Sequence, residues 1–135
     1  ENGQPEALEM NGYRDSIAEA KQDNGSEAAR LHEALRGQRF AGANPTFDTR
    51  HMERLFRASG MHPDPWHHRL LDLSAYAAGV LGLDPGALPG CAGVCDLLGI
   101  PAGDHTAEAD VTATGLCFKA LMAKAGVTST EGAAT

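Results

Sequence analysis

Apolar residues along this chain follow two rhythms, and the change from one to the other marks out its elements. Between Asp15 and Asp23 the spacing predicts a short helix, closed by the turn pair Asn24-Gly25. Ser26 is placed to cap the next helix, in which Ala28, Leu31 and Leu35 share a face before Gly37 ends it. Arg39 to Asn44 is short and apolar without helical spacing, and so reads as a buried strand. Pro45 stops anything helical from running through that point. A helix then starts near Asp48, with Met52, Leu55 and Phe56 as its apolar stripe, Arg50, Arg54 and Arg57 elsewhere on its surface, and Gly60 as its stop.

The second half repeats this alternation. Met61 to Trp66 is too rich in proline for regular structure, and Arg69 to Asp72 is a second strand candidate. Asp72 or Ser74 can cap a helix running toward Leu83. Prolines and glycines from Asp84 to Gly90 break the chain, and Val94, Leu97 and Leu98 mark a further helix that Gly99 ends. Ala107, Val111, Thr114, Phe118, Leu121, Met122 and Ala125 recur at steps of three and four, which predicts a long amphipathic helix packed on a core. Strands alternating with helices imply an α/β layer structure. Two strands do not make a stable sheet, so their partners are expected upstream or in another chain. Residues 1–126 read as one domain and residues 127–135, small and polar, as a flexible tail.

Charge and cysteine usage narrow the function. The net charge of −7 argues against a protein that coats duplex nucleic acid, where phosphate neutralisation dominates affinity. It is compatible with an enzyme that grips one strand end and holds cations with carboxylates. The three cysteines, Cys91, Cys95 and Cys117, offer no second pair at zinc spacing and read as reduced thiols on helices of an intracellular, cytoplasmic protein. No apolar run reaches the roughly 20 residues that span a bilayer. His62, His67 and His68 flank Trp66 without a ligand set at metal spacing, and read as a solvated loop that could edge a groove, with Trp66 stacking a base.

Two short patterns could carry chemistry. Asn44-Pro45-Thr46-Phe47-Asp48 follows a strand and opens a helix, where an aspartate is most often a cap. His105 to Asp110 opens the last helix. Five residues span about 500° of helical rotation, so His105 and Asp110 converge only if the histidine lies in the preceding loop. Asp110 sits among Ala107, Val111 and Thr114, nearer the apolar face than a solvated charge should be, and a half-buried carboxylate there needs a partner such as a metal ion. A helix cap and an ordinary surface aspartate remain the plain alternative for this pattern taken alone.

In this order, the two patterns resemble those of the DEDDh, or DnaQ-like, 3′–5′ exonucleases of the ribonuclease H-like superfamily, in which a strand leads into N-x-x-F-D and a later helix opens with H-x4-D. Leu70 to Leu73, Leu88-Pro89-Gly90, Cys95 to Ile100 and, upstream, Ala7 to Tyr13 are similar to the connecting text, so the resemblance covers roughly Pro5 to Ala123. It implies an α/β ribonuclease H-like fold, represented here by its helix-rich C-terminal two-thirds with about two strands. The family's first motif, D-x-E, would lie ahead of Glu1, so this chain offers only Asp48 and Asp110 of the family's four acids, plus His105.

The resemblance also implies a mechanism: two divalent cations, Mg²⁺ or Mn²⁺, about 4 Å apart, clamp the scissile phosphate. Asp110 and Asp48 would be metal ligands, His105 the general base, and Phe47 and Asn44 substrate-side residues, with Phe47 packed beneath the site. The implied substrate is the single-stranded 3′ end of DNA or RNA, and a polymerase or other replication protein is the implied partner. The competing expectations are an inactive exonuclease-like binding module and, more distantly, an unrelated small helical interaction domain.

Overall fold

A computed structural model describes residues 24–128. The candidate helix between Asp15 and Asp23 and the last residues of the tail lie outside the described residues. Within them, seven elements run in the order α1 (Asn24–Leu35), β1 (Ala41–Gly42), α2 (Pro45–Ala58), β2 (Leu71–Asp72), α3 (Leu73–Leu81), α4 (Cys91–Leu98) and α5 (Ala107–Lys124). The architecture is mixed α/β, mostly helical, with two parallel strands.

Ser26 lies within helix α1 rather than at its cap. Ala28 is buried and Leu31 and Leu35 half-buried, as the spacing predicts. Gly37, at φ 67°, adopts the left-handed conformation that ends the helix and turns its N–H onto the Pro65 carbonyl at 2.8 Å.

That bond begins a loose parallel seam. His67 N–H donates to Gln38 O (2.8 Å), Leu71 N–H donates to Phe40 O (2.9 Å), and regular pairing then sets Ala41 against Leu71 and Gly42 against Asp72. The strand expected over Arg39 to Asn44 is thus only two residues long. Pro45 turns the chain into α2 at one end, and no third strand among the described residues extends the pair. The order β1, α2, β2 is a crossover unit, the connection that parallel strands require. Phe56 of α2 is fully buried, with its ring 5.0 Å from His32 and 6.3 Å from Trp66, while Phe40 lies 5.5 Å from Trp66. Trp66 is half-buried against these two phenylalanine rings.

The main core lies beyond β2. Asp72 caps α3, its Oδ1 accepting from Ala75 N–H at 2.9 Å. Gly82 and Gly99, both left-handed, end α3 and α4. Leu73 and Ala77 of α3, Val94 and Cys95 of α4, and Ala113, Cys117, Phe118 and Leu121 of α5 form one buried cluster. Each fully buried aliphatic side chain there contributes roughly 1.5–3 kcal/mol relative to exposure. None of the described helices is long and apolar enough to cross a membrane.

Helix α5 corrects the predicted stripe. Its core face begins at Ala113, and Val111 is 72% exposed. The first half of the stripe, Ala107, Val111 and Thr114, looks instead across an open cleft toward β1.

Candidate functional site

The cleft has a volume of about 650 Å³, within the range of small-molecule and substrate sites. One wall is β1 with its continuation, Phe40 to Asn44, joined by Asp48 and Met52 of α2. The facing wall is one face of α5 from Ala107 to Phe118, including Asp110, Val111 and Thr114. Most of this lining is apolar, and Asp48, Asp110 and the Asn44 amide are its strongest polar groups. A cleft at the carboxyl end of a parallel strand is where α/β sheets generally bind ligands.

Each carboxylate reaches the cleft for a local reason. Asn44 stands at the cap position of α2 and Pro45 starts the helix, so Asp48 falls in its first turn rather than at its cap. Asn44, Asp48 and Met52 are four residues apart and therefore share a face. Asp110 lies in the first turn of α5 and is exposed, not half-buried as its apolar neighbours suggested. The reason is the open cleft itself, onto which Ala107 and Val111 are exposed. Both aspartates sit near helix N-termini, where the peptide dipoles favour an anion. Neither carboxylate has a hydrogen bond or ion pair among the described residues.

The chain makes room for both groups with glycine. A Cβ at Gly42 would lie 3.3 Å from Asp48 Oδ2. A Cβ at Gly103 would collide with Asp110 Oδ1 and come within 2.9 Å of its backbone N and Cα. Sequence reasoning missed both residues as parts of the site. The available signal was a glycine at the strand end next to one motif and another just ahead of the second.

Ahead of α5 the loop is tied by a short relay. Thr106 donates its N–H (3.1 Å) and hydroxyl (2.6 Å) to Asp104 Oδ1, and its own Oγ1 accepts from Ala109 N–H at 3.3 Å to cap the helix. The bonds from Thr106 hold the Asp104 carboxyl below its usual value of 3.8. Between them His105 stands at φ 67°, a left-handed conformation that costs a non-glycine residue roughly 1–2 kcal/mol. It does lie in the loop, as convergence with Asp110 requires, but it is exposed and is not part of the cleft lining.

Phe47 corrects a second expectation. Rather than packing beneath the site, it is 56% exposed, with its ring 4.4 Å from that of His51. One residue along a helix is a rotation of about 100°, so a residue adjoining Asp48 cannot share its direction. The structure thus brings Asp48, Asp110 and Asn44 to one cleft and leaves Phe47 and His105 outside it.

Behind the α5 wall lie the thiols. Cys95 Sγ is 3.5 Å from Cys117 Sγ, and Cys91 Sγ is 3.6 Å from Thr114 Oγ1. Burial is the main cause that pushes all three above the usual 9.0, and for Cys91 the charge of Asp110 adds a little. All three are free thiols. The histidine loop is structural too: His62 meets Asp64 at 3.2 Å, and His67 stacks on His68.

A hard divalent cation fits the donor set in part. Mg²⁺ keeps several waters and is commonly held by only one or two carboxylates, which Asp48 and Asp110 can supply. Among the described residues no group of three or more His, Cys, Asp or Glu gathers to hold a metal. A second groove, about 730 Å³, runs along α1 between Glu27 and Ala34 and reaches Leu55, but Arg30 there is already paired with Glu27. Comparison with protein-family models, curated proteins and solved structures finds no match.

Proposed function

We propose that this chain is the helix-rich part of a DEDDh-type 3′–5′ exonuclease of ribonuclease H-like fold, hydrolysing phosphodiester bonds at the single-stranded 3′ end of DNA or RNA. The observation that carries the reading is the meeting of Asp48, Asp110 and Asn44, remote in sequence, on the walls of one cleft. Two carboxylates without a protein partner among the described residues, on the walls of one cleft, are the donors that a hard divalent cation uses, which supports a cation site.

A divalent cation at such a site supplies charge stabilisation at the phosphoryl group and a more acidic water. Asp48 and Asp110 provide its anionic ligands. The Asn44 amide, on the same helix face as Asp48, orients the nucleotide by donating a hydrogen bond. His105 accepts the proton of the attacking water, which requires its imidazole to turn from its exposed position toward Asp110. The relay through Asp104 and Thr106 fixes the backbone there and leaves the imidazole without a bonded partner, so the turn is a side-chain rotation. The apolar remainder of the lining, Val111, Met52 and Phe118, offers apolar surface to the substrate beside the carboxylates.

The full site needs further acidic ligands, which the reading assigns to a D-x-E segment ahead of residue 1. The test is therefore made on the protein translated from the complete reading frame, with a labelled single-stranded oligonucleotide and Mn²⁺. The expected result is stepwise shortening from the 3′ end. Asp110→Asn abolishes it, and His105→Ala slows it by roughly 10²- to 10⁴-fold, with thermal midpoints almost unchanged. Intact substrate, or full activity in both variants, rejects the proposal. The 135-residue chain by itself is expected to show little or no nuclease activity.

One observation favours a second reading, an inactive exonuclease-like binding module. The described residues hold only a partial ligand set. A complete reading frame without D-x-E on an upstream strand would select it.

A further inference from the structure

The face of α2 opposite its core carries a pattern that the cleft does not use. Phe47, Arg50, His51, Arg54 and Arg57 are spaced by three and four residues, so they form one stripe along the helix. All five are exposed. The stripe begins at Phe47, directly beside Asp48, and runs away from the cleft along the helix. Glu53 lies at its edge and is half-buried.

Two features separate this stripe from an ordinary solvated helix face. On α1 the exposed arginines are neutralised: Arg30 pairs with Glu27 and Arg36 with Glu33, each at 2.8 Å. Arg50, Arg54 and Arg57 make no ion pair within the described residues, in a chain whose net charge is −7. The second feature is Phe47, a large ring 56% exposed and held in place by the imidazole of His51. Solvation calls for no exposed ring at the head of a cationic row. A polyanion with stackable rings matches both features, because every nucleobase presents a π-face and every linkage a negative charge.

We infer that the outward stripe of α2 is the binding track for a single-stranded polynucleotide, with Phe47 stacking a base at the mouth of the cleft and Arg50, Arg54 and Arg57 contacting successive phosphates. The inference rests on the nuclease reading for its direction, since the strand must end at Asp48 and Asp110. It does not rest on that reading for its measurement, because binding can be followed without hydrolysis. The track is short and local, which reconciles binding of a polyanion with an acidic protein.

The probe is a fluorescein-labelled oligothymidylate of about 15 nucleotides, titrated with the 135-residue chain in EDTA and followed by anisotropy across a range of salt. Arg50→Ala/Arg54→Ala is expected to weaken binding at least tenfold and to lower the slope of log K against log salt by about 1.4, two single-strand contacts. Phe47→Ala is expected to weaken binding about tenfold with little change in slope. Arg30→Ala/Arg36→Ala changes net charge equally and should leave affinity and slope unaltered. Equal losses in the two arginine pairs would reduce the effect to net charge and overturn the inference. Unchanged binding in the α2 pair would overturn it too, leaving the stripe to a different partner such as an acidic protein. Oligonucleotide binding with no hydrolysis by the complete protein would sink the nuclease reading alone. Trimming that survives loss of the stripe would sink the track alone.

Discussion

The two ends of α5 lie in different surroundings. From Ala113 onward its face is closed by α3 and α4, and Cys117 and Leu121 have no exposure at all. Ahead of Ala113 the same stripe continues in sequence but is not closed by α3 or α4, so Val111 and Asp110 stand open to the cleft. Among the described residues the three-helix cluster holds most of the buried side chains, while the region around β1 and α2 has a two-residue strand pair and a small knot of His32, Phe40, Phe56 and Trp66. Stability is concentrated in the first region. The unpaired carboxylates lie where packing stops, the only place they can stay charged without a protein partner.

The largest effect expected from this contrast is in the core. Leu121→Ala should cost about 2–5 kcal/mol by leaving a cavity among α3, α4 and α5. Val111→Ala, on the same helix, should change stability by less than about 0.5 kcal/mol, as surface substitutions usually do. Chemical denaturation of the two variants measures the difference. A costly Val111→Ala would mean that the cleft is closed in solution, and the distinction between the two ends would fail.

Next in size is Gly103→Ala. The added methyl overlaps Asp110, so the loop or the first turn of α5 must move. A loss of roughly 1–3 kcal/mol is expected, in line with overpacking, together with a changed amide signal at Asp110. Gly42→Ala meets Asp48 at 3.3 Å and should be milder. A Gly103→Ala protein with native stability and unshifted Asp110 would show that this contact does not hold the carboxylate.

The thiols give a smaller effect with a defined sign. Folding raises Cys95 and Cys117 above 9.0, chiefly through burial, so the unfolded chain loses these protons first as the pH rises. Their contribution to stability is fully present below pH 9.0 and is lost as pH climbs through the higher folded-state values. Thermal midpoints should fall above that pH, and Cys95→Ala/Cys117→Ala should flatten the fall. An identical alkaline slope in that variant would assign the loss to other groups.

How far the sequence foretold all this depended on what each residue answers to. Helix ends were legible at Gly37, Gly99 and Asp72, which act through local backbone geometry, while α3 stops at Gly82, ahead of the expected Leu83. The sharing of one cleft by the two acidic motifs was not legible from either motif alone and was expected only from the family resemblance. The face of α5 at Val111 was not legible, since periodicity marks an apolar stripe without saying whether anything covers it. Nor was the direction of Phe47, which turns on α2 starting at Pro45 rather than near Asp48. The close approach of Gly103 to Asp110 was not legible either, because it is set by the tertiary path of the loop.

Cation binding tests the shared cleft most directly. Mn²⁺ titrations followed by electron paramagnetic resonance would compare the 135-residue chain with Asp48→Asn, Asp110→Asn and the double variant. Two carboxylates on one ion predict that each single change weakens binding by about tenfold or more and that the double variant loses less than the sum, the signature of coupled residues. Binding that is indifferent to either aspartate, or losses that simply add, would contradict the account.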